Sequence, residues 1–382
     1  MTTRTIRSAL AFTAVALLSA TVSASAQVPG VGELGGPSRA LSPQELTKWL
    51  RGREIFDRNF HQKDGVGTPE LNADSCRACH EDPVLGGAGG LELNVSRFGN
   101  DNGGQGPFTN LPGGQVVSKL RPAWVKGREE YDPMQADVFE QRQTPALFGA
   151  GLIDTIPEYE ITAHEDPTDA DGDGIFGVAR RLDIGGFTEI GRFGWKAQVP
   201  LVGDFIKDAM GGECGITTPN DGRGFALVSD NDPVADPELS ARQFDQIHFF
   251  LSLLAAPRRK GSSDPRVAQG DALFRSIGCA VCHLPELQGT GGPVPLYSNL
   301  LLHDVHPPSF RGMEEPGAPA GFFRTPPLWG CRETEPYLHD GRAETLRDAI
   351  AMHDGEALQV RQRFMALSAP EQEALMLFLR DL

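Results

Sequence analysis

Cys76-Arg77-Ala78-Cys79-His80 and Cys279-Ala280-Val281-Cys282-His283 repeat one pentapeptide pattern twice in a chain of 382 residues. Six cysteines and nine histidines placed at random would give on the order of 0.002 copies of Cys-x-x-Cys-His, so neither copy is accidental. The spacing has a chemical reason. Two thiols three residues apart can each form a thioether to a vinyl group of haem, and the next residue sets its imidazole under the iron. Two other readings use a Cys-x-x-Cys pair, as half of a tetrahedral zinc site or as a redox disulfide. Both leave the following histidine unexplained in each copy. The pattern therefore implies two covalently bound haem c groups, attached through Cys76, Cys79, Cys279 and Cys282, with His80 and His283 as proximal iron ligands.

Outward from these loops the chain reads as helices. Ser42-Pro43-Gln44-Glu45 is a capping-box start, and Leu46, Trp49, Leu50, Arg53 and Phe56 follow at helical spacing. Gly270 to Gly278 reads as a short amphipathic helix running into the second loop. Ser240 opens a helix with Phe244, Ile247, Leu251 and Leu254 on one stripe, ended by Pro257. Ser368 caps another, with Leu375, Phe378, Leu379 and Leu382 at i, i+3, i+4 and i+7. A helix before the loop and a second crossing it make the frame of a small cytochrome c. The polar stretch 257–265 separates two such frames. The predicted fold class is mainly α, with two tandem cytochrome c-like domains over 42–257 and 262–382. The first is too long for one such unit and carries a long loop-rich insertion, consistent with 45 glycines and 29 prolines in the chain.

Arg4 and Arg7 precede an apolar run from Ala9 to Ala20, and Ala24-Ser25-Ala26 offers a small-residue cleavage site. That is a secretory pattern over 1–26, and its run is shorter than the ~20 residues a spanning helix needs. An uncleaved membrane anchor is the competing reading. The expectation is an exported, periplasmic protein with no stable membrane span. Lys+Arg 35 against Asp+Glu 51 gives a net charge of −16, and −18 once Arg4 and Arg7 are removed. So acidic a chain offers no basic face for nucleic acid.

Several further stretches carry a family resemblance. Phe323 to Gly330 (FRTPPLWG) and Pro336 to Leu346 (PYLHDGRAETL) resemble the bacterial di-haem cytochrome c peroxidase superfamily. Pro83 to Gly90, Arg142 to Leu152, Asp169 to Gly174, Gly191 to Ala197 and Leu300 to Asp304 match more narrowly the di-haem oxidoreductase family. The resemblance runs from about residue 45 to the end. In the peroxidases the second haem takes its sixth ligand fourteen residues after the His of the His-Asp-Gly turn. From His339 that count implies His353, where those peroxidases have Met. Leu346, Ala349, Ile350 and His353 also share one helical face, while Met352 points about 100° away. The competing reading makes His353 a surface residue at a helix end. A bis-His haem sits lower in potential than a His/Met haem, so the departure bears on which redox step this haem serves.

The first haem has no comparable partner. Glu81 to Gln115 contains neither His nor Met, and the candidates beyond are Met134, His164 and Lys196. An open or water-bound iron is the alternative, and it is what a substrate-activating haem needs. Glu158 is a candidate distal acid–base, against a solvated loop carboxylate. Trp195 is a candidate electron relay between the haems, against simple packing. Asp169, Asp171 and Asp173 have the oxygen-ligand spacing of a calcium loop, but position twelve is Arg180, so an acidic turn held by glycines competes. His303 and His306, followed by two prolines, are expected to line a loop beside the second haem. Cys214 and Cys331 are left over, and in an oxidising compartment a disulfide between them is expected. The reading is a peroxidase-like di-haem oxidoreductase, with a reactive N-terminal haem and a C-terminal electron-transfer haem. Its partners would be a redox protein or small electron donor and a small-molecule oxidant or substrate. A non-catalytic electron carrier and a di-haem oxidase or oxygenase of an organic substrate are the rivals.

Overall fold

The computed structural model describes residues 28–382 except 121, 126, 128, 130 and 131. The expected signal segment lies outside the described residues. The chain runs α1 (Pro43–Asp57), β1 (Val95–Asn100), β2 (Thr109–Asn110), β3 (Val138–Arg142), α2 (Ala150–Asp154) and α3 (Glu158–Thr162). It continues with β4 (Arg181–Ile184), β5 (Phe187–Ile190), α4 (Val202–Ala209), which passes into a π-helical turn over Met210–Cys214, and α5 (Ala241–Ser252). The last third comprises α6 (Pro265–Ser276), β6 (Leu287–Gly289), β7 (Gly292–Val294), β8 (Leu302–Asp304), β9 (Phe322–Arg324), α7 (Leu346–Ala351), α8 (Leu358–Ala366) and α9 (Ala369–Asp381).

Two helix pairs carry the frame: α1 packs on α5, and α6 on α9. Their ends follow from local chemistry. Ser42 and Glu45, Ser240 and Gln243, and Ser368 and Glu371 each form a reciprocal capping box, and Asp264 caps α6 through the Arg266 N–H. At each crossing a glycine lets the backbones meet. A Cβ on Gly52 would sit 2.0 Å from the Gln246 carbonyl oxygen, and one on Gly270 would sit 2.2 Å from that of Ala374. Four residues after each glycine stands a buried phenylalanine. Phe56 packs 5.5 Å from Phe250, and Phe274 packs 5.3 Å from Phe378. The C-terminal helices of the pairs are in register as sequences. Ser240, Ile247, Phe250, Leu251 and Leu254 each stand 128 residues before Ser368, Leu375, Phe378, Leu379 and Leu382.

Between the pairs lies a third core built by both halves of the chain. Ile153, Ile156 and Ile161 of the α2–α3 region pack with Leu287, Leu296, Leu300, Leu301 and Trp329. The stretch expected to be an insertion of loops holds sheet as well. β2, β1 and β3 form a three-stranded antiparallel sheet, and β4 and β5 a hairpin. The fold is therefore helix-rich but mixed, 31% helix and 13% strand, which corrects the mainly α expectation. The reason is visible in β3. Its inward positions are Val138, Glu140 and Arg142, so the period-2 burial carries charges that hydropathy reads as surface.

The crossing is testable. Gly270→Ala should destabilise the protein by about 1–3 kcal/mol through overpacking, read as a lower denaturation midpoint. Gly291→Ala, where a Cβ meets nothing within 4 Å, should change it little.

Candidate cofactor site

The two Cys-x-x-Cys-His loops adopt one conformation. The His80 N–H donates to the Cys76 carbonyl at 3.0 Å, and the His283 N–H to the Cys279 carbonyl at 3.0 Å. One turn of chain thus sets both thiols and the imidazole beside a single space. Each ring is then oriented by a carbonyl: His80 Nδ1 donates to Gly87 at 3.2 Å and His283 Nδ1 to Tyr297 at 3.1 Å. His353 follows the same rule, its Nδ1 donating to Ala349 at 2.7 Å. In all three the tautomer leaves Nε2 with a free lone pair, the form that binds a metal. Burial holds them neutral, lowering His80 to about 4, His283 to about 3 with help from His353, and His353 as well.

A continuous cavity of about 850 Å³ is lined by both cysteine pairs and by His80, His283 and His353. Its walls are mostly apolar, with Phe56 and Phe274 behind the two attachment loops. The donor set and space suit a covalently held macrocycle at each loop. Between the loops, Trp195, Phe323, His306 and His339 also line the cavity. Phe323 stacks on His339 at 3.9 Å, and the Trp195 ring lies 6.5 Å from His339, its Nε1–H held by the Gln143 carbonyl at 2.7 Å.

Other residues singled out from the sequence fall elsewhere. None of Met134, His164 and Lys196 lines the cavity. Met134 is 89% exposed, and His164 is exposed too. Lys196 Nζ is spent on the Pro319 and Ala320 carbonyls, each at 2.7 Å, over the Phe323 ring. These three are removed as axial ligands. Glu158 Oε1 accepts the Ile190 N–H at 2.9 Å and anchors β5 outside the cavity, so its distal role is withdrawn.

The acidic loop also regroups. Asp166 joins Asp169 and Asp171 with carboxylate oxygens within 4.8 Å of one another, while Asp173 turns to the Ile175 N–H. Cys214 and Cys331 are both free, in different cores, one around α1 and α5 and the other around α6 and α9. That corrects the expected disulfide. His303 does stand beside the second loop, 3.7 Å from Cys282 Sγ, but both its nitrogens are occupied by Glu356 and Asn299.

Three features were missed from the sequence. Asp208 and Glu213, on α4 and its π-helical turn, line the cavity; burial raises both, Asp208 to about 6. Phe225 lines it as well. A buried ionic cluster completes the wall. Glu315 receives Arg97 at 2.6 Å, Arg142 at 2.8 Å and Arg180 at 2.7 Å, and Arg142 also binds Glu140 at 2.6 Å. Nothing local in the sequence marks any of the three.

The chain belongs to the di-haem oxidoreductase family, since the model described as "Di-haem oxidoreductase, putative peroxidase" matches residues 130–382. The first Cys-x-x-Cys-His loop precedes that segment. No curated protein matches the chain. Among solved structures it is similar to a MauG-like protein associated with microbial copper homeostasis, at 15% identity and TM-score 0.45, covering 90% of this chain and 89% of that one. It is also similar to hydrazine synthase of Kuenenia stuttgartiensis, at 16% identity and TM-score 0.41, covering 93% and 97%. The diheme peroxidase BthA of Burkholderia thailandensis gives 17% and 0.41, covering 92% and 89%. Among the described residues no helix is long and apolar enough to cross a membrane.

Two outcomes follow from the cluster and the cysteines. Burial pushes the Glu315 carboxyl up, but Arg142, Arg97 and Arg180 outweigh it and hold it well below the carboxylate range. A depressed folded pKa stabilises fully above the unfolded value, roughly 4.3, and that stability is lost as pH falls through the folded pKa. Glu315→Gln should cost about 3–5 kcal/mol at pH 7, the gap to wild type narrowing as pH falls below that range in denaturation titrations. Alkylation of the denatured, unreduced protein should label both Cys214 and Cys331.

Proposed function

We propose that this protein is an exported, periplasmic di-haem c-type oxidoreductase of the peroxidase type, with the His80 haem as reactive centre and the His283/His353 haem as electron-transfer centre. One contrast carries the reading. His353 offers an oriented Nε2 to the cavity beside His283, whereas none of Met134, His164 and Lys196, the candidates for the first haem, lines that cavity. The first haem would then keep one face for a small molecule and the second would be closed.

Each haem, when bound, supplies one-electron redox chemistry at its iron. The chain's own residues do the rest. His80 and His283 are held as neutral ligands by Gly87 and Tyr297. His353, with His283, would hold the second haem and close that site to substrate. The Trp195, His339 and Phe323 rings pack on one another along the cavity wall. Partners would be a redox protein or small electron donor on one side and a small-molecule oxidant or substrate on the other.

The test is spectroscopic. A pyridine haemochrome assay should find two haems per chain. Low-temperature electron paramagnetic resonance of the ferric protein should give one high-spin and one low-spin species. Two low-spin species would return the protein to the class of electron carriers. His353→Ala should convert the low-spin species to high-spin without loss of haem, and Met352→Ala should leave it unchanged.

A further inference from the structure

We propose that Asp208 is the proton acceptor and donor for small neutral protic molecules that enter the first haem site. The inference deepens the reading of that haem as open and rests on it. The first observation is how Asp208 is exposed. Its side chain has accessible surface, yet it is surrounded by protein and lines the cavity, so what it faces is the cofactor space. No hydrogen bond holds it among the described residues, whereas α4's other charged groups are committed. Asp204 is paired with Arg223 at 2.8 Å, and Lys207 with Asp221.

The second observation is where α4 runs. The Glu213 carbonyl accepts the Asn72 and Ala73 N–H groups at 2.7 and 3.2 Å, so the π-helical turn lies beside the chain that enters the first attachment loop. Five residues earlier, about 7.5 Å along a helix axis, Asp208 is acted on by Glu213, Glu315 and Arg97, toward the arginine wall. The helix therefore spans the first site from attachment edge to ionic cluster. π-helical turns recur at functional sites, since the extra residue in the turn re-aims neighbouring side chains. The other elements packed on α4 bring Asp154 of α2, which accepts the Val202 N–H, and His248 of α5, beside Gly203. Both meet the start of α4, one to two turns from Asp208.

Chemistry then selects the ligand. The arginines of the adjoining wall are matched to Glu315 and Glu140, so the unmatched acceptor at the cavity is the Asp208 carboxylate. A neutral acid HX can pass its proton to that carboxylate as X⁻ forms, regaining it on departure. Atoms and charge balance with no further reactant. Hydrogen peroxide and alkyl hydroperoxides belong to this class, and hydrogen cyanide is its redox-inert probe.

The experiment measures cyanide association with the ferric holoprotein by stopped flow between pH 5 and 8. Asp208→Asn should slow association about 100-fold and flatten its pH dependence, and Asp208→Glu should recover most of the rate. Glu158→Gln, outside the cavity, should match wild type. Haem content and the high-spin signal, measured on each variant, show that the site is intact. A high-spin signal with unchanged cyanide kinetics in Asp208→Asn overturns the role of Asp208 alone. Absence of a high-spin signal in wild type overturns the open-haem reading and this inference with it.

Discussion

Two close backbone crossings hold this molecule in shape. At Gly52 and again at Gly270 a helix meets its partner with no room for a Cβ, so main chain rests on main chain. Such contact fixes distance and angle more tightly than side-chain packing, because nothing in it can change rotamer. Everything at the site hangs from these joints. Phe56 and Phe274 stand one turn beyond each glycine, their rings 6.1 and 6.4 Å from His80 and His283. The attachment loops are thereby set at equivalent places in the two halves.

Orientation of the imidazoles is a separate matter from their position. A loop can deliver a histidine to a cavity and still offer the wrong nitrogen. Here three backbone carbonyls, from Gly87, Tyr297 and Ala349, each take Nδ1–H, leaving Nε2 toward the shared space. Burial then keeps the rings unprotonated, since charging them would cost their hydration without a nearby anion to offset it. Lys196 illustrates the opposite case. It is fully buried and its ammonium is lowered to about 7 by burial, but two carbonyls consume its protons and direct it away from the cavity.

Between the halves the chain does something costlier. Arg97, Arg142 and Arg180 converge on Glu315, and Arg142 also on Glu140, all nearly buried. Burying so many charges gains little net stability, but removing any one leaves others unpaired. The cluster joins β1, β3 and the Arg180 segment to a loop of the C-terminal half. It sets the relation of the two halves on one side, as the shared core around Trp329 does on the other.

Local features of the chain were legible wherever one turn of backbone decides the outcome. The attachment loops and the capping boxes at Ser42, Ser240 and Ser368 are all determined within a few residues. That is why spacing alone placed them. α7 ends at Ala351, so His353 lies beyond the helix it was expected to share, and its ring reaches back to the Ala349 carbonyl. What required the tertiary structure lies where partners are distant in sequence. The two spare cysteines are equivalent by composition, yet each is enclosed by a different helix pair, and no spacing rule reports that. Glu158 and Asp208 are both carboxylates in the long first half. One is spent on a strand N–H and the other faces the cavity, a difference set by how α4 lies across the first site. In β3 the buried charges answer to Glu315, more than 170 residues away. Pattern along the chain determines what a residue can do with its neighbours, and only packing decides which distant groups compete for the same atom.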